Sequence, residues 1–300
     1  MKNLFYSACF LIISLSLLYS QDNKLTIEAD HVYGNKFGMA LTFDVFTPAN
    51  SNGAAVLFMN SGGFASGKIR FLKLDEEGNC QYLKKDELMI VPENFKYPPL
   101  AQFSLDELLE NGFIVFDVRH GSSPKFTLDE IVTDAKLAIQ YIRKNADIFK
   151  VDPDRLGVFG ASAGGYISAY LALTGNGVKT AVLFYPAGYD FIRLKNETPE
   201  AYANLPALHL EEGILDSLSL KNHISKEDPS FLIIYGDADF PFITEASQNL
   251  ALSLDSNNVE AELITIPGIG HEFRNKDGYQ YEQGEFARLK MVDWFKNHLK

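Results

Sequence analysis

Residues 156–172 read LGVFGASAGGYISAYLA. A short apolar run reaches Gly160, and residues 160–164 spell G-x-S-x-G. Small residues and then an amphipathic stretch follow, so the pattern predicts a buried strand, a tight turn and a helix. In that setting Ser162 occupies a strained turn at the carboxyl end of the strand. Gly160 and Gly164 are required because a Cβ at either position would collide with the neighbouring strand or helix. The helix that starts after Ser162 aims its dipole and its free N–H groups at the serine. Taken alone, the pentapeptide also suits a plain small-residue turn between a strand and a helix.

A serine hydroxyl is a poor nucleophile at neutral pH and needs a base, which in turn needs an orienting acid. Downstream, residues 230–236 read SFLIIYG, a continuous apolar run ending in glycine, as a buried parallel strand requires. Asp237-Ala238-Asp239 follows at its carboxyl end. Residues 259–266 alternate and end in Pro267-Gly268-Ile269-Gly270-His271. An acid and a histidine thus each sit just past an expected strand. Two aspartates compete for the acid role. Asp239 lies further into the loop and is better placed to reach the histidine loop, whereas Asp237 suits a turn cap or a backbone N–H acceptor. Of the six histidines, His31 lies in the N-terminal β-region, His209 and His223 in an irregular segment, and His298 in an expected surface helix near the C-terminus. His271 alone sits in a Gly-rich loop after the last strand and is the expected base. His120 follows the apolar run 113–118 and either lines the site or is a hydrogen-bonded loop histidine.

Residues 54–59 form a further apolar run, followed by Asn60-Ser61-Gly62-Gly63-Phe64. Two glycines after a strand let backbone N–H groups approach a substrate closely. This segment resembles the H-G-G-G-[WF] oxyanion loop of the esterase/lipase branch of the α/β-hydrolases, with Asn60 and Ser61 in place of the His and the first Gly. The resemblance implies that Gly62 and Gly63 donate N–H groups to an oxyanion, joined by the N–H of Ala163. The departure at Asn60 leaves the main-chain donors in place but removes the loop-fixing contacts of the usual His. Residues 38–48 resemble the family's first hairpin, and Asp152-Pro153-Asp154-Arg155-Leu156-Gly157 its D-P-x-R-[IL]-G lead-in. Gly236-Asp237-Ala238-Asp239 resembles its G-x-x-D, which supports Asp239 as the acid. The order Ser162, Asp239, His271 is also the family's order. The resemblance spans residues 25–299 and extends to secreted bacterial esterase-like and prolyl-oligopeptidase-like catalytic domains.

The chain has 300 residues, 46% hydrophobic and 22% charged, enough for one large core. Its formal net charge of −12 argues against nucleic acid and against adsorption to anionic membranes. Lys2, the apolar stretch 4–19 and the polar turn at Ser20-Gln21-Asp22 have the form of a signal peptide over residues 1–20. The hydrolase domain is then residues 21–300, secreted or periplasmic, with no stable membrane insertion after cleavage. The competing reading is an uncleaved anchor, but the run is shorter than the ~20 apolar residues of a comfortable span. Cys80 is the only cysteine of residues 21–300, so no intramolecular disulfide is expected. The sequence holds no Cys/His cluster with metal-ligand spacing, and no cofactor is expected.

Strands are expected at 25–32, 39–47, 54–59, 113–118, 156–159, 181–185, 231–235 and 259–266, and helices at 99–111, 128–146, 163–174, 244–256 and 284–299. This alternation implies an α/β fold, a mostly parallel central sheet with helices on both faces and the site at the carboxyl ends of the strands. Two long segments, 70–98 and 187–229, interrupt the repeat and are expected to form cap-like insertions over the pocket. The expected activity is that of a serine carboxylic-ester hydrolase acting on short-acyl esters, carbohydrate esters among them. Phe64, beside the expected oxyanion donors, is expected to limit acyl length. Two alternatives stand beside it: a serine peptidase of prolyl-oligopeptidase type, and a catalytically silent hydrolase fold used as a binding module.

Overall fold

The computed structural model describes residues 25–67, 71–74, 80–83 and 104–300. The expected signal segment 1–20 and most of the insertion 70–98 lie outside the described residues.

An eight-stranded sheet organises the chain. Its strands are β1 (Thr26–Lys36), β2 (Met39–Thr47), β3 (Ala55–Met59), β4 (Ile114–Val118), β5 (Leu156–Ala161), β6 (Thr180–Phe184), β7 (Ser230–Gly236) and β8 (Ala261–Ile266). They lie in the order β1-β2-β4-β3-β5-β6-β7-β8. β1 pairs antiparallel with β2, and β2 antiparallel with β4. From β4 to β8 every pairing is parallel.

The continuous apolar runs of the central strands follow from burial on both faces. Ala55, Leu57 and Met59 of β3 enter one core, and Val56 and Phe58 the other. The same alternation splits Ala181 and Leu183 from Val182 and Phe184 in β6, and Phe231 and Ile233 from Leu232 and Ile234 in β7. Each fully buried Val, Leu, Ile, Met or Phe side chain among these contributes roughly 1.5–3 kcal/mol.

Among the described residues four long helices cover the sheet: α1 (Leu128–Lys144), α2 (Ala163–Leu173), α3 (Pro241–Ser256) and α4 (Tyr281–His298). A capping box of Thr127 and Glu130 starts α1, and Leu128, Ile131, Ala135, Ala138, Ile139 and Ile142 form its buried stripe. α1 and α2 pack on one face of the sheet, and α4 packs on the other. α3 begins at Pro241, three residues before the helical pattern suggests, because proline suits the first helical turn. Of the expected helix 99–111, the described part is a short helix at Asp106–Glu110.

α2 departs from the amphipathic expectation, since every residue from Ala163 to Leu173 is buried. The reason is the insertion 187–229. It folds into short helices at Phe191–Glu197, Pro199–Ala203 and Glu212–Ser217, and it covers the outer side of α2. Tyr166 of α2 donates its hydroxyl to Leu218 O at 2.7 Å and sets its ring 5.0 Å from that of Phe191. Of the segment 70–98, the described parts include an antiparallel hairpin, Leu72–Leu74 with Cys80–Tyr82. Phe71 and Tyr82 pack there against Phe46 of β2. Among the described residues no helix is long and apolar enough to cross a membrane.

Candidate active site

Ser162 links β5 to α2 with φ 55° and ψ −118°. Such a conformation costs a non-glycine residue about 1–3 kcal/mol and persists only where the surroundings impose it. Here the Ser162 N–H donates to Phe184 O at 2.9 Å. The two flanking glycines make the close packing possible. A Cβ at Gly160 would lie 2.4 Å from the Gly164 carbonyl, and one at Gly164 would lie 2.3 Å from Met59 O.

The loops after β7 and β8 are bound to each other. Ala238 N–H donates to Ile269 O at 3.0 Å, and Asp237 N–H to Ile266 O at 3.2 Å. A Cβ at Gly236 would fall 1.9 Å from Ile269 O, so only glycine permits this approach. The joined loops carry Asp239 and His271 to Ser162. His271 Nδ1 lies 3.0 Å from both Asp239 carboxylate oxygens, and its Nε2 lies 3.1 Å from Ser162 Oγ. The Asp239 carboxylate is closed to solvent and also accepts the Phe240 N–H at 2.6 Å. An ionised carboxylate only accepts, so the proton belongs on Nδ1 and Nε2 is left to accept the serine proton. Asp237 turns away and accepts the Gly268 N–H at 2.6 Å.

Two rings flank the imidazole. Tyr185 stands 4.7 Å from it, inclined at 60°, and Phe240 stands 5.4 Å from it. Sequence reasoning names Tyr185 only among the aromatics that could stack on a sugar or phenyl ester, and it missed Phe240. Tyr185 directly follows β6 at the carboxyl edge of the sheet and Phe240 directly follows Asp239, so position alone was the available signal.

Asn60-Ser61-Gly62-Gly63-Phe64 forms a small hairpin in which Ser61 and Gly62 pair with Ser66 and Ala65. Gly63 and Phe64 are both left-handed, with φ 57° and 62°, as a two-residue hairpin turn demands. Asn60 fixes the base of the hairpin. Its N–H donates to Val118 O, its Nδ2 donates to the buried Asp117 Oδ1 at 2.9 Å, and its carbonyl accepts Ser66 Oγ at 2.7 Å. Asn60 therefore makes loop-fixing bonds of its own, to a partner that the sequence signalled only as an aspartate inside an apolar strand. The hairpin packs against the start of α2, where the Ala163 N–H stands in the first turn without an intrahelical acceptor. The Ser61–Gly62 strand thus lies against the helix that follows Ser162.

Phe64 does not stand at an open mouth. Its ring is buried 5.9 Å from Tyr166, because the left-handed turn folds it into the core beneath the hairpin. The steric limit expected from this ring is therefore absent.

His120 is buried beside the same hairpin. Its N–H donates to Ser66 Oγ at 3.2 Å, and its Nδ1 donates to Gly121 O at 2.7 Å. Burial pushes the imidazole down to about 4, with a smaller push the same way from Lys36 and opposing pulls from the bond to Gly121 O and from Asp134. It makes no hydrogen bond to Ser162, Asp239 or His271 among the described residues and supports the hairpin from behind. The other histidines lie elsewhere: His31 stacks on Phe43, His209 lies against Tyr202, His223 bonds Ser217 O, and His298 stacks on Trp294. Among the described residues no group of His, Cys, Asp and Glu could hold a metal ion.

The chain matches the family model described as BD-FAE over residues 93–254, just over half its length. It is 29% identical over 156 residues to a probable carboxylic ester hydrolase, LipM, of Mycobacterium tuberculosis, covering 45% of this chain and 36% of that one. To esterase LipQ of the same organism it is 24% identical over 197 residues, covering 58% and 46%. The chain thus spans less than half the length of these curated relatives. Among solved structures, a truncated carbohydrate esterase from gut microbiota superposes with TM-score 0.65 at 22% identity, covering 93% of this chain and 98% of that one. A hyperthermophilic esterase from the archaeon Pyrobaculum calidifontis superposes with TM-score 0.67 at 21% identity, covering 91% and 85%. These likenesses show the α/β-hydrolase fold.

Proposed function

The chain belongs to the BD-FAE family, and from that premise we propose that it is a carboxylic ester hydrolase working by acyl transfer through Ser162, His271 and Asp239. The observation that carries this reading is His271 placed between the other two, one ring nitrogen 3.1 Å from Ser162 Oγ and the other 3.0 Å from the buried Asp239 carboxylate. Ser162 Oγ attacks the ester carbonyl carbon while His271 Nε2 takes the hydroxyl proton. The carbonyl π-electrons move to oxygen, and the N–H groups of Gly62, Gly63 and Ala163 receive the oxyanion. Collapse of the tetrahedral intermediate expels the alcohol, which takes its proton from His271. Water then attacks the acyl-enzyme by the same sequence, releasing the acid and restoring Ser162. Asp239 holds the imidazole in the required tautomer and stabilises the imidazolium.

Within this proposal the substrates are short-acyl esters, carbohydrate esters among them, with the acyl preference set elsewhere than at the buried Phe64 ring. The carbohydrate part is supported by the description of one structural neighbour. The leader-like segment 1–20 supports action outside the cytoplasm. The silent-module alternative drew on the replacements at Asn60 and Ser61, and the bond from Asn60 to Asp117 weakens that basis.

The test is hydrolysis of p-nitrophenyl esters by wild type and Ser162→Ala, with a fluorophosphonate probe to mark the nucleophile. Wild type should turn over acetyl to butyryl esters, the probe should label Ser162, and the Ala variant should lose about 10⁴-fold or more in kcat. Turnover by the variant near the wild-type rate, or labelling at another residue, overturns the assignment.

A further inference from the structure

Position 185 carries two costs at once. Tyr185 adopts φ 38°, a left-handed backbone that bulky residues rarely accept. Its side chain is buried, and its hydroxyl has no hydrogen-bond partner among the described residues. An orphaned buried hydroxyl is unfavourable. The left-handed backbone alone would be served by glycine or asparagine, so the presence of a bulky ring here calls for a reason.

What the position does provide is a wall for the imidazole. The Tyr185 N–H donates to Ile234 O at 2.7 Å, which pins the reversed backbone between β6 and β7. The ring is backed by Phe273 at 5.3 Å and meets His271 at 4.7 Å. The other ring against His271 among the described residues is Phe240, which is 54% exposed and therefore yielding. The bonds to Asp239 do not select a ring tilt by themselves, since Nδ1 lies 3.0 Å from both oxygens. A rocking imidazole would carry Nε2 off Ser162 Oγ, and a displacement of about 1 Å at a reacting group costs on the order of 10²-fold in rate.

We propose that Tyr185 is a positioning residue for His271: its ring is the rigid wall that holds Nε2 on Ser162 Oγ. This rests on the acyl-transfer reading of Ser162 and His271. The ring and not the hydroxyl carries the role, so phenylalanine should replace it and a residue without a ring should not.

The experiment compares wild type, Tyr185→Phe, Tyr185→Leu and Tyr185→Asn, the last because asparagine tolerates the left-handed backbone. Thermal unfolding identifies the folded variants. Steady-state kinetics on p-nitrophenyl acetate and the low-field proton resonance of His271 Nδ1–H then report the site. Tyr185→Phe should keep kcat within about threefold. The Leu and Asn variants should lose on the order of 10²-fold in kcat with KM nearly unchanged, and their Nδ1–H resonance should broaden or vanish. Wild-type kcat in a folded Leu or Asn variant, or a loss in Tyr185→Phe as large as theirs, overturns the proposal. If wild type hydrolyses no ester, the acyl-transfer reading fails. The resonance, sharp in wild type and Phe and lost in Leu and Asn, would still support the positioning role, and its persistence in Leu or Asn would overturn it.

Discussion

Asp237 and Gly268 are joined, carboxylate to N–H, at 2.6 Å across the loops that follow β7 and β8. Two residues on, Asp239 faces the other way and holds His271. One short loop thus contains an aspartate that fastens the histidine loop and an aspartate that orients the histidine. Asp239→Asn should keep the fold and lower kcat by about 10⁴-fold, because an amide permits the wrong imidazole tautomer. Asp237→Asn should keep kcat within a few-fold and lower thermal stability by about 1 kcal/mol, the value of one hydrogen bond. Paired kinetics and melting curves decide the matter, and a reversed pattern would make Asp237 the orienting acid.

The fold was largely legible because five parallel strands are buried on both faces and therefore read as apolar runs, each followed by a loop at the same edge of the sheet. Ser162 and Asp239 stand at such strand ends and His271 follows the alternating edge strand β8, which is why position and residue type sufficed to nominate them. Asp117 was not legible, and Tyr185 was legible only as an aromatic that could stack on a substrate, not as a neighbour of His271. Each matters through a partner distant in sequence, Asn60 for the first and His271 for the second. α2 was misread for a related reason. Its outer side is covered by residues 187–229, whose position over it no local pattern announces.

The close packing at the serine turn gives a steric prediction. A Cβ at Gly164 would meet Met59 O at 2.3 Å, and a strand carbonyl cannot move without breaking the sheet. Gly164→Ala should cost on the order of 3 kcal/mol or more and remove activity through displacement of α2. Gly175→Ala is the control. There φ is 68° but nothing lies within 4 Å of the new Cβ, so only the backbone penalty of about 1–2 kcal/mol remains. Denaturant titration of both variants compares them. A Gly164→Ala protein as stable as the Gly175→Ala protein would contradict the packing described here.

Asn60 offers a test of the hairpin. Asn60→Ala removes the Nδ2 donor from the buried Asp117 carboxylate and loosens the base on which Gly62 and Gly63 stand. If these N–H groups meet the oxyanion, the loss should fall on kcat, about 10-fold to 10²-fold, with little change in KM. A chain-length series of p-nitrophenyl esters on the same protein would show whether the acyl preference changes too. A rise in KM at constant kcat would place the hairpin in ground-state binding.

His120 gives the acid dependence of stability. Burial lowers its folded-state value to about 4, below the ordinary 6.5 of an unfolded histidine. Between those limits the unfolded chain binds a proton that the folded chain refuses, so unfolding gains as pH falls. The contribution is complete above about pH 6.5, declines as pH drops toward 4 and amounts to roughly 3 kcal/mol in full. Its Nδ1 already donates to Gly121 O, so protonation would place the second proton on the buried Nε2, which has no acceptor among the described residues. His120→Asn keeps a donor near the Nδ1 position but cannot titrate. It should therefore unfold with a weaker pH dependence between pH 6.5 and 4 than wild type. Urea unfolding at pH 7, 5.5 and 4.5 measures the difference. Parallel loss of stability in the two proteins would mean that His120 is not the group that titrates.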